Sequence, residues 1–186
     1  MSIVDLAGIP RLLDPQLAPD GQSVVYLLMR ADWQANRAVG QIWRQATGGG
    51  VPVQLTTVDG GASTARWSPD GRAIAFVARG TDGNQQLFVQ PAVGGDARVL
   101  SAHSTSVSQP SWAPDGTAVY FVAADERSAD ARERDRLRDD VYAFDETYTQ
   151  RHLWKVAVGD GAKAGTETRL TTMLRRASSI LSTMHW

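Results

Sequence analysis

The sequence contains no cysteine. That excludes a disulfide scaffold, thiolate zinc sites and a cysteine nucleophile, and it is compatible with a reducing compartment. Charge of one sign is also lacking: 19 Lys and Arg offset 20 Asp and Glu, for a net charge of -1, which removes the electrostatic case for a nucleic-acid partner. No window reaches the roughly 18 apolar residues of a membrane span. The opening stretch MSIVDLAGIPRLLDPQ has neither a basic n-region nor a long apolar h-region. The expectation is a cytoplasmic protein with no nucleic-acid partner and no membrane partner. With 17 Gly and 8 Pro, neither a collagen-like nor a linker protein fits. A length of 186 residues, 42% hydrophobic and 21% charged, suits one globular domain or at most two small ones.

The sequence repeats itself. Pro-Asp-Gly occurs at 19–21, 69–71 and 114–116, the last two within Trp67-Ser-Pro-Asp-Gly71 and Trp112-Ala-Pro-Asp-Gly116, 45 residues apart. Ile42-Trp43 and Leu87-Phe88 keep the same 45-residue interval, as do Leu55-Thr56 and Leu100-Ser101, with Gly pairs at 48–49 and 94–95 between. After each Pro-Asp-Gly comes a β-branched residue (Val24, Ile74, Val119) and, two further on, an aromatic one (Tyr26, Phe76, Phe121). That spacing puts both on one face of a strand.

Each unit reads as four short strands. The first runs into the Pro-Asp-Gly turn, where Pro presets φ, Asp bonds the backbone ahead and Gly takes positive φ. The second is expected at 73–78, 23–28 and 118–123, and the third at 86–90, 41–44 and 152–156. The fourth ends at Leu55-Thr56, Leu100-Ser101 or Leu170-Thr171. Four strands in about 45 residues is the size of a β-propeller blade. The predicted fold is therefore all-β: a partial β-propeller of three blades, at about 11–57, 60–101 and 104–171, after a short N-terminal helix near Ile3 to Gly8.

The third blade is longer. Asp70 to Phe88 spans 18 residues, whereas Asp115 to Trp154 spans 39. The extra residues form an insertion over about 125–146 that opens DERSADARERDRLRDD, in which 12 of 16 residues are charged, five positive and seven negative. Such mixed charge reads as a solvated helix or excursion, with a lid or partner-binding arm as the functional alternative.

The Trp-Ser-Pro-Asp-Gly repeat followed by an Ile-Ala-Phe strand resembles the WD40-like repeat shared by TolB-type proteins and the prolyl oligopeptidase family of serine peptidases. Asp5-Leu6, Asp14-Pro-Gln-Leu-Ala-Pro-Asp-Gly21, Val24-Val-Tyr26 and Asn36-Arg37 before Ile42-Trp43 are similar to the start of the N-terminal propeller of acylaminoacyl-peptidase-like members. Asp140-Val-Tyr-Ala-Phe-Asp-Glu-Thr-Tyr-Thr-Gln-Arg-His-Leu-Trp154 resembles a stretch of the same blade in those enzymes. The likeness covers about residues 3–172. It implies a propeller that caps an α/β-hydrolase domain and restricts access to short peptides, with the catalytic Ser, His and Asp all in that second domain.

Three blades do not close a ring of four to eight, so the pattern predicts a truncated chain, and the resemblance implies that it stops before the hydrolase domain. The repeat calls for another Trp near 182, where residues 173–186 instead form an aberrant tail. The function expected is the non-catalytic, substrate-gating propeller portion of such a peptidase, inactive alone, with the hydrolase domain as partner and peptides as ligands. The alternative is a stand-alone TolB-like interaction module that completes its ring by self-association. A carbohydrate-binding propeller would rest only on the six Trp.

No catalytic, cofactor-binding or metal-ligating residue is assigned. Gly61-Ala-Ser-Thr-Ala65 lacks the final Gly of a nucleophile elbow and is expected in an interblade loop. His103, expected in a loop, His152, expected just before a strand, and His185 in the tail share no metal-ligand spacing. Asp20, Asp70 and Asp115 are read as turn residues, Trp67 and Trp112 as packing between blades, and Gly48-Gly-Gly50 as a hairpin turn.

Overall fold

The computed structural model describes residues 8–34, 36–126, 150–159 and 164–171. Strands β1 (Arg11–Leu17), β2 (Ser23–Asp32), β3 (Arg37–Ala46) and β4 (Val53–Gln54) form the first sheet. Strands β5 (Ala62–Trp67), β6 (Ala73–Arg79), β7 (Gln85–Pro91) and β8 (Arg98–Val99) form the second. The third comprises β9 (Val107–Trp112), β10 (Ala118–Ala124), β11 (Arg151–Ala157) and β12 (Glu167–Arg169). Each is an antiparallel meander in chain order, the all-β partial propeller that the repeat predicts. Apart from Gly8, the expected N-terminal helix lies outside the described residues, as do residues 127–146 of the insertion and the tail 173–186.

The Pro-Asp-Gly turns repeat atom for atom. Asp20, Asp70 and Asp115 accept through Oδ1 from the backbone N–H of Gln22, Arg72 and Thr117 at 2.9, 3.0 and 3.0 Å. Gly21, Gly71 and Gly116 sit at φ of 70°, 71° and 71°, the left-handed region that glycine enters without steric cost.

The core follows from the two-residue period of a strand. Ile74, Phe76 and Ala78 of β6 join Val25, Ile42, Leu55, Ala62 and Ala65 in a cluster between the first and second sheets. Ala75 and Val77 join Leu87, Leu100, Val107, Val119, Phe121, Ala123 and Val156 between the second and third. The middle sheet is thus buried on both faces, which is why β6 is apolar without alternation. Burying a side chain the size of Phe76 or Ile74 stabilises by about 1.5–3 kcal/mol. The first strands β1, β5 and β9 touch their neighbours, so the sheets converge along that edge as blades do around an axis.

Candidate functional site

Trp67 and Trp112 end the first strands of their sheets and pack into the two clusters. The Trp67 indole N–H donates to the Gln16 carbonyl at 3.0 Å, and that of Trp112 donates to the Arg66 carbonyl at 3.0 Å. Gln16 and Arg66 hold the same position in successive sheets, one residue before Leu17 and Trp67. Each ring is therefore a bolt to the preceding sheet. Three residues before Leu17, Trp67 and Trp112 come Asp14, Thr64 and Gln109, at φ of 47°, 54° and 54°, where the first strand bulges. Asp14 accepts from Arg66 Nη1 at 2.8 Å, tying β1 to β5 across the first interface.

A second repeated device joins the third strand to the segment after the fourth. Ser101 Oγ accepts the Leu87 N–H at 2.8 Å and donates to Gln86 Oε1 at 2.6 Å; Gln86 Oε1 also accepts the His103 N–H. In the first sheet Thr56 Oγ1 accepts the Ile42 N–H at 2.9 Å and donates to Gln41 Oε1 at 2.8 Å. In the third, Thr171 Oγ1 accepts the Leu153 N–H at 3.0 Å and the amide is replaced by His152.

That replacement assembles Asp125, His152 and Thr171 in the order of a catalytic triad. His152 Nδ1 lies 3.3 Å from Thr171 Oγ1, and Nε2 lies 3.1 Å from Asp125 Oδ2. Arg169 Nη2, however, stands 2.6 Å from the same Nε2. A guanidinium only donates and a carboxylate only accepts, so Nε2 stands between a donor and an acceptor that also face each other, Arg169 Nη1 lying 3.5 Å from Asp125 Oδ1. His152 is also buried, with its side chain 1% exposed. The triad geometry is a blade latch with a histidine where glutamine stands twice before.

His103 also proves to be a buried packing residue. Its Nδ1 meets Glu167 Oε2 at 2.7 Å, its ring stands edge-on to Trp154 with centroids 4.6 Å apart, and Glu167 Oε1 accepts the Ala102 N–H. The Trp154 indole N–H is a buried donor with no hydrogen-bond partner among the described residues.

Two positions read from the sequence need correction. Ser63 lies on β5 instead of in an interblade loop, because Ala62 and Ala65 are needed in the core between sheets; its hydroxyl accepts from Thr64 Oγ1. His152 lies inside β11 instead of before it, paired with Ala123. Among the described residues there is no group of three or more His, Asp or Glu able to hold a metal, and His185 lies outside them. Sequence reasoning missed Gln41, Gln86, Asp125 and Glu167; the repeated Gln-Ile and Gln-Leu pairs before each aromatic were the available signal.

Two apolar faces are left uncovered by the described residues. On the leading face of the first sheet, Tyr26 and Trp43 are half-buried where Phe76 and Phe121 are fully buried, and Arg30 lies 5.4 Å over the Trp43 ring. Leu12 and Leu17 there are 56% and 61% exposed. On the trailing face of the third sheet, Leu153 and Leu170 are 38% and 46% exposed, whereas their counterparts Leu87 and Leu100 are 0%.

A stretch of 97 residues is 33% identical to the uncharacterized peptidase YuxL of Bacillus subtilis, covering 52% of this chain and 15% of that protein. Acylaminoacyl peptidase from Pyrococcus horikoshii has a similar structure, with a TM-score of 0.61 and 17% identity over 87% of this chain and 25% of that one. A putative TolB from Agrobacterium tumefaciens superposes with a TM-score of 0.57 and 19% identity, over 87% and 48% of the respective chains. The chain thus spans less than half the length of each of these three proteins. At such identities the structural likeness carries the propeller fold alone. The profile of the lipoprotein LpqB beta-propeller domain (Gmad1) matches residues 40–143, more than half of the sequence, and the chain belongs to that β-propeller family.

Proposed function

We propose that this chain is the non-catalytic, substrate-gating propeller portion of a prolyl-oligopeptidase-type serine peptidase of the acylaminoacyl-peptidase kind, inactive in hydrolysis by itself. The observation that carries the reading is the fate of the Asp125–His152–Thr171 arrangement. Its hydroxyl and ring occupy the positions of Thr56 with Gln41 and Ser101 with Gln86, a latch that the first two sheets build without any histidine. The likeness to a named peptidase and to an acylaminoacyl peptidase supports the wider assignment. On this reading peptides are the ligands, an α/β-hydrolase domain is the partner and the compartment is the cytoplasm. The test is steady-state turnover of acyl-amino-acid and short acyl-peptide p-nitroanilides by the purified chain. No turnover is expected. Hydrolysis that a serine-directed fluorophosphonate abolishes, and that His152→Gln also removes, would overturn the reading.

A further inference from the structure

The third latch departs from the repeat at two positions that meet. His152 stands where the first and second sheets place Gln41 and Gln86. Arg169 pairs across from Trp154, where the first two sheets place Gln54 across from Trp43 and Val99 across from Phe88. In the second sheet the Gln86 amide nitrogen donates to Asp82 Oδ2 at 3.1 Å, so a donor meets an acceptor. In the third, a single ring atom faces two partners of opposite kind. His152 Nε2 lies 3.1 Å from Asp125 Oδ2, which accepts, and 2.6 Å from Arg169 Nη2, which donates. A bare Nε2 bonds Arg169, a protonated Nε2 bonds Asp125, and one nitrogen does not serve both at once. With the His152 side chain 1% exposed, the choice falls between these two residues and not to bulk water.

We propose that His152 is a proton-operated selector: with Nε2 bare it holds Arg169, and through it strand β12, and with Nε2 protonated by solvent it transfers its bond to Asp125. An imidazolium and a guanidinium at 2.6 Å present two donors of like charge to each other, so Arg169 leaves the ring as the proton arrives. Its remaining ties are the bond from Nε to the Thr171 carbonyl at 2.9 Å and the ion pair from Nη1 to Asp125 Oδ1 at 3.5 Å. A proton that fits only the form without the Arg169 bond favours that form as pH falls, and the outer strand loosens with it. Imidazole is the side chain whose ordinary titration lies between about pH 5 and 8; the glutamines of the first two latches carry no such proton. The other charged groups nearby have their own settings. Arg151 of β11 donates to Ser108 Oγ at 2.6 Å, Glu126 after Asp125 is exposed, and beyond Trp154 on the same side of the sheet His103 of the linker meets Glu167 of β12 at 2.7 Å. The inference rests on the latch geometry and is independent of the peptidase reading.

The experiment is amide hydrogen exchange of the full 186-residue chain by NMR, on either side of the imidazole range at about pH 7.5 and about pH 5.5, expressed as protection factors. The Leu170 N–H donates to the Leu153 carbonyl at 2.8 Å, and at the matching place in the second sheet the Leu100 N–H donates to the Leu87 carbonyl at 2.7 Å. Acidification should lower protection at Leu170 by about tenfold relative to Leu100, the scale of a single linked proton. The His152 ring nitrogen shifts should change over the same range. His152→Gln should abolish the difference between Leu170 and Leu100. Asp125→Asn, which removes the carboxylate that accepts the ring proton, should move the response to lower pH. Equal responses at Leu170 and Leu100 in the wild-type chain overturn the proposal. So does a Leu170 response that survives His152→Gln, which would assign the proton to the His103–Glu167 pair, or one that Asp125→Asn leaves at the same pH.

Discussion

The indole of Trp112 donates to the carbonyl of Arg66 at 3.0 Å, across the boundary between the second and third sheets. The same bond runs from Trp67 to Gln16 one sheet earlier, so a single tryptophan per repeat supplies both a packing surface and a directional tie. Trp112→Phe keeps most of the ring and removes the tie; a loss of about 0.5–1.5 kcal/mol is expected in urea unfolding. Trp67→Ala removes ring and tie together, and about 3–5 kcal/mol is expected. A native-like melting curve for Trp67→Ala would contradict the stacking of sheets described above.

Trp154 poses the opposite case. Its indole N–H is buried without a partner among the described residues, and Phe88 fills the same position in the second sheet. Trp154→Phe retains an aromatic face toward Phe121 and removes the orphaned donor, whose desolvation costs about 1–3 kcal/mol. Denaturant titration should show a stability equal to wild type or higher by about 1 kcal/mol, the cavity left by the smaller ring offsetting part of the gain.

The latch residues predict a graded pattern. Ser101→Ala strips a partner from the Leu87 N–H and from Gln86 Oε1 in a fully buried setting, for an expected loss of about 1–3 kcal/mol. His152→Gln installs the residue that the first two sheets already use. Thermal unfolding of this variant should be close to wild type, since the amide can both accept from Arg169 and bond Thr171. A large destabilisation by His152→Gln would show that the third sheet uses the ring for something other than the latch.

Two of the turn carboxylates make the protein acid-sensitive. A hydrogen bond from the Ser68 hydroxyl, then one from the Arg72 N–H, holds Asp70 below its ordinary value of 3.8. The Thr117 N–H and hydroxyl do the same for Asp115. A depressed folded pKa means that the unfolded chain takes up protons first as pH falls. Their contribution is therefore complete above about 3.8 and is lost as pH drops through the lower folded values. Carboxyl chemical shifts in the folded protein should titrate below the ordinary value for both residues, and Asp70→Asn should flatten the stability profile in that acid range.

Much of the fold was legible because the repeat appears in several independent landmarks. Pro-Asp-Gly fixes the turn between first and second strands, and the β-branched and aromatic pair fixes which face of the second strand is apolar. Other features were hidden by distance along the chain. The Leu-Thr and Leu-Ser landmarks recur because Thr56 and Ser101 bond residues 14 and 15 positions earlier, a partnership no local pattern displays. The left-handed conformations of Asp14, Thr64 and Gln109 share no residue type and leave no compositional trace. The triad-like placement of Asp125, His152 and Thr171 was equally invisible, because the insertion separates Asp125 from its partners.

Amide hydrogen exchange tests the central claim most directly, because it reads each sheet separately. Among the described residues the middle sheet is covered on both faces, and the first and third on one each. The account predicts that the amides of Ile74 to Ala78 in β6 exchange more slowly than those of Val24 to Leu28 in β2 and of Val119 to Ala123 in β10. Equal protection in all three central strands, or faster exchange in β6, would contradict a stack of propeller blades with β6 at its centre.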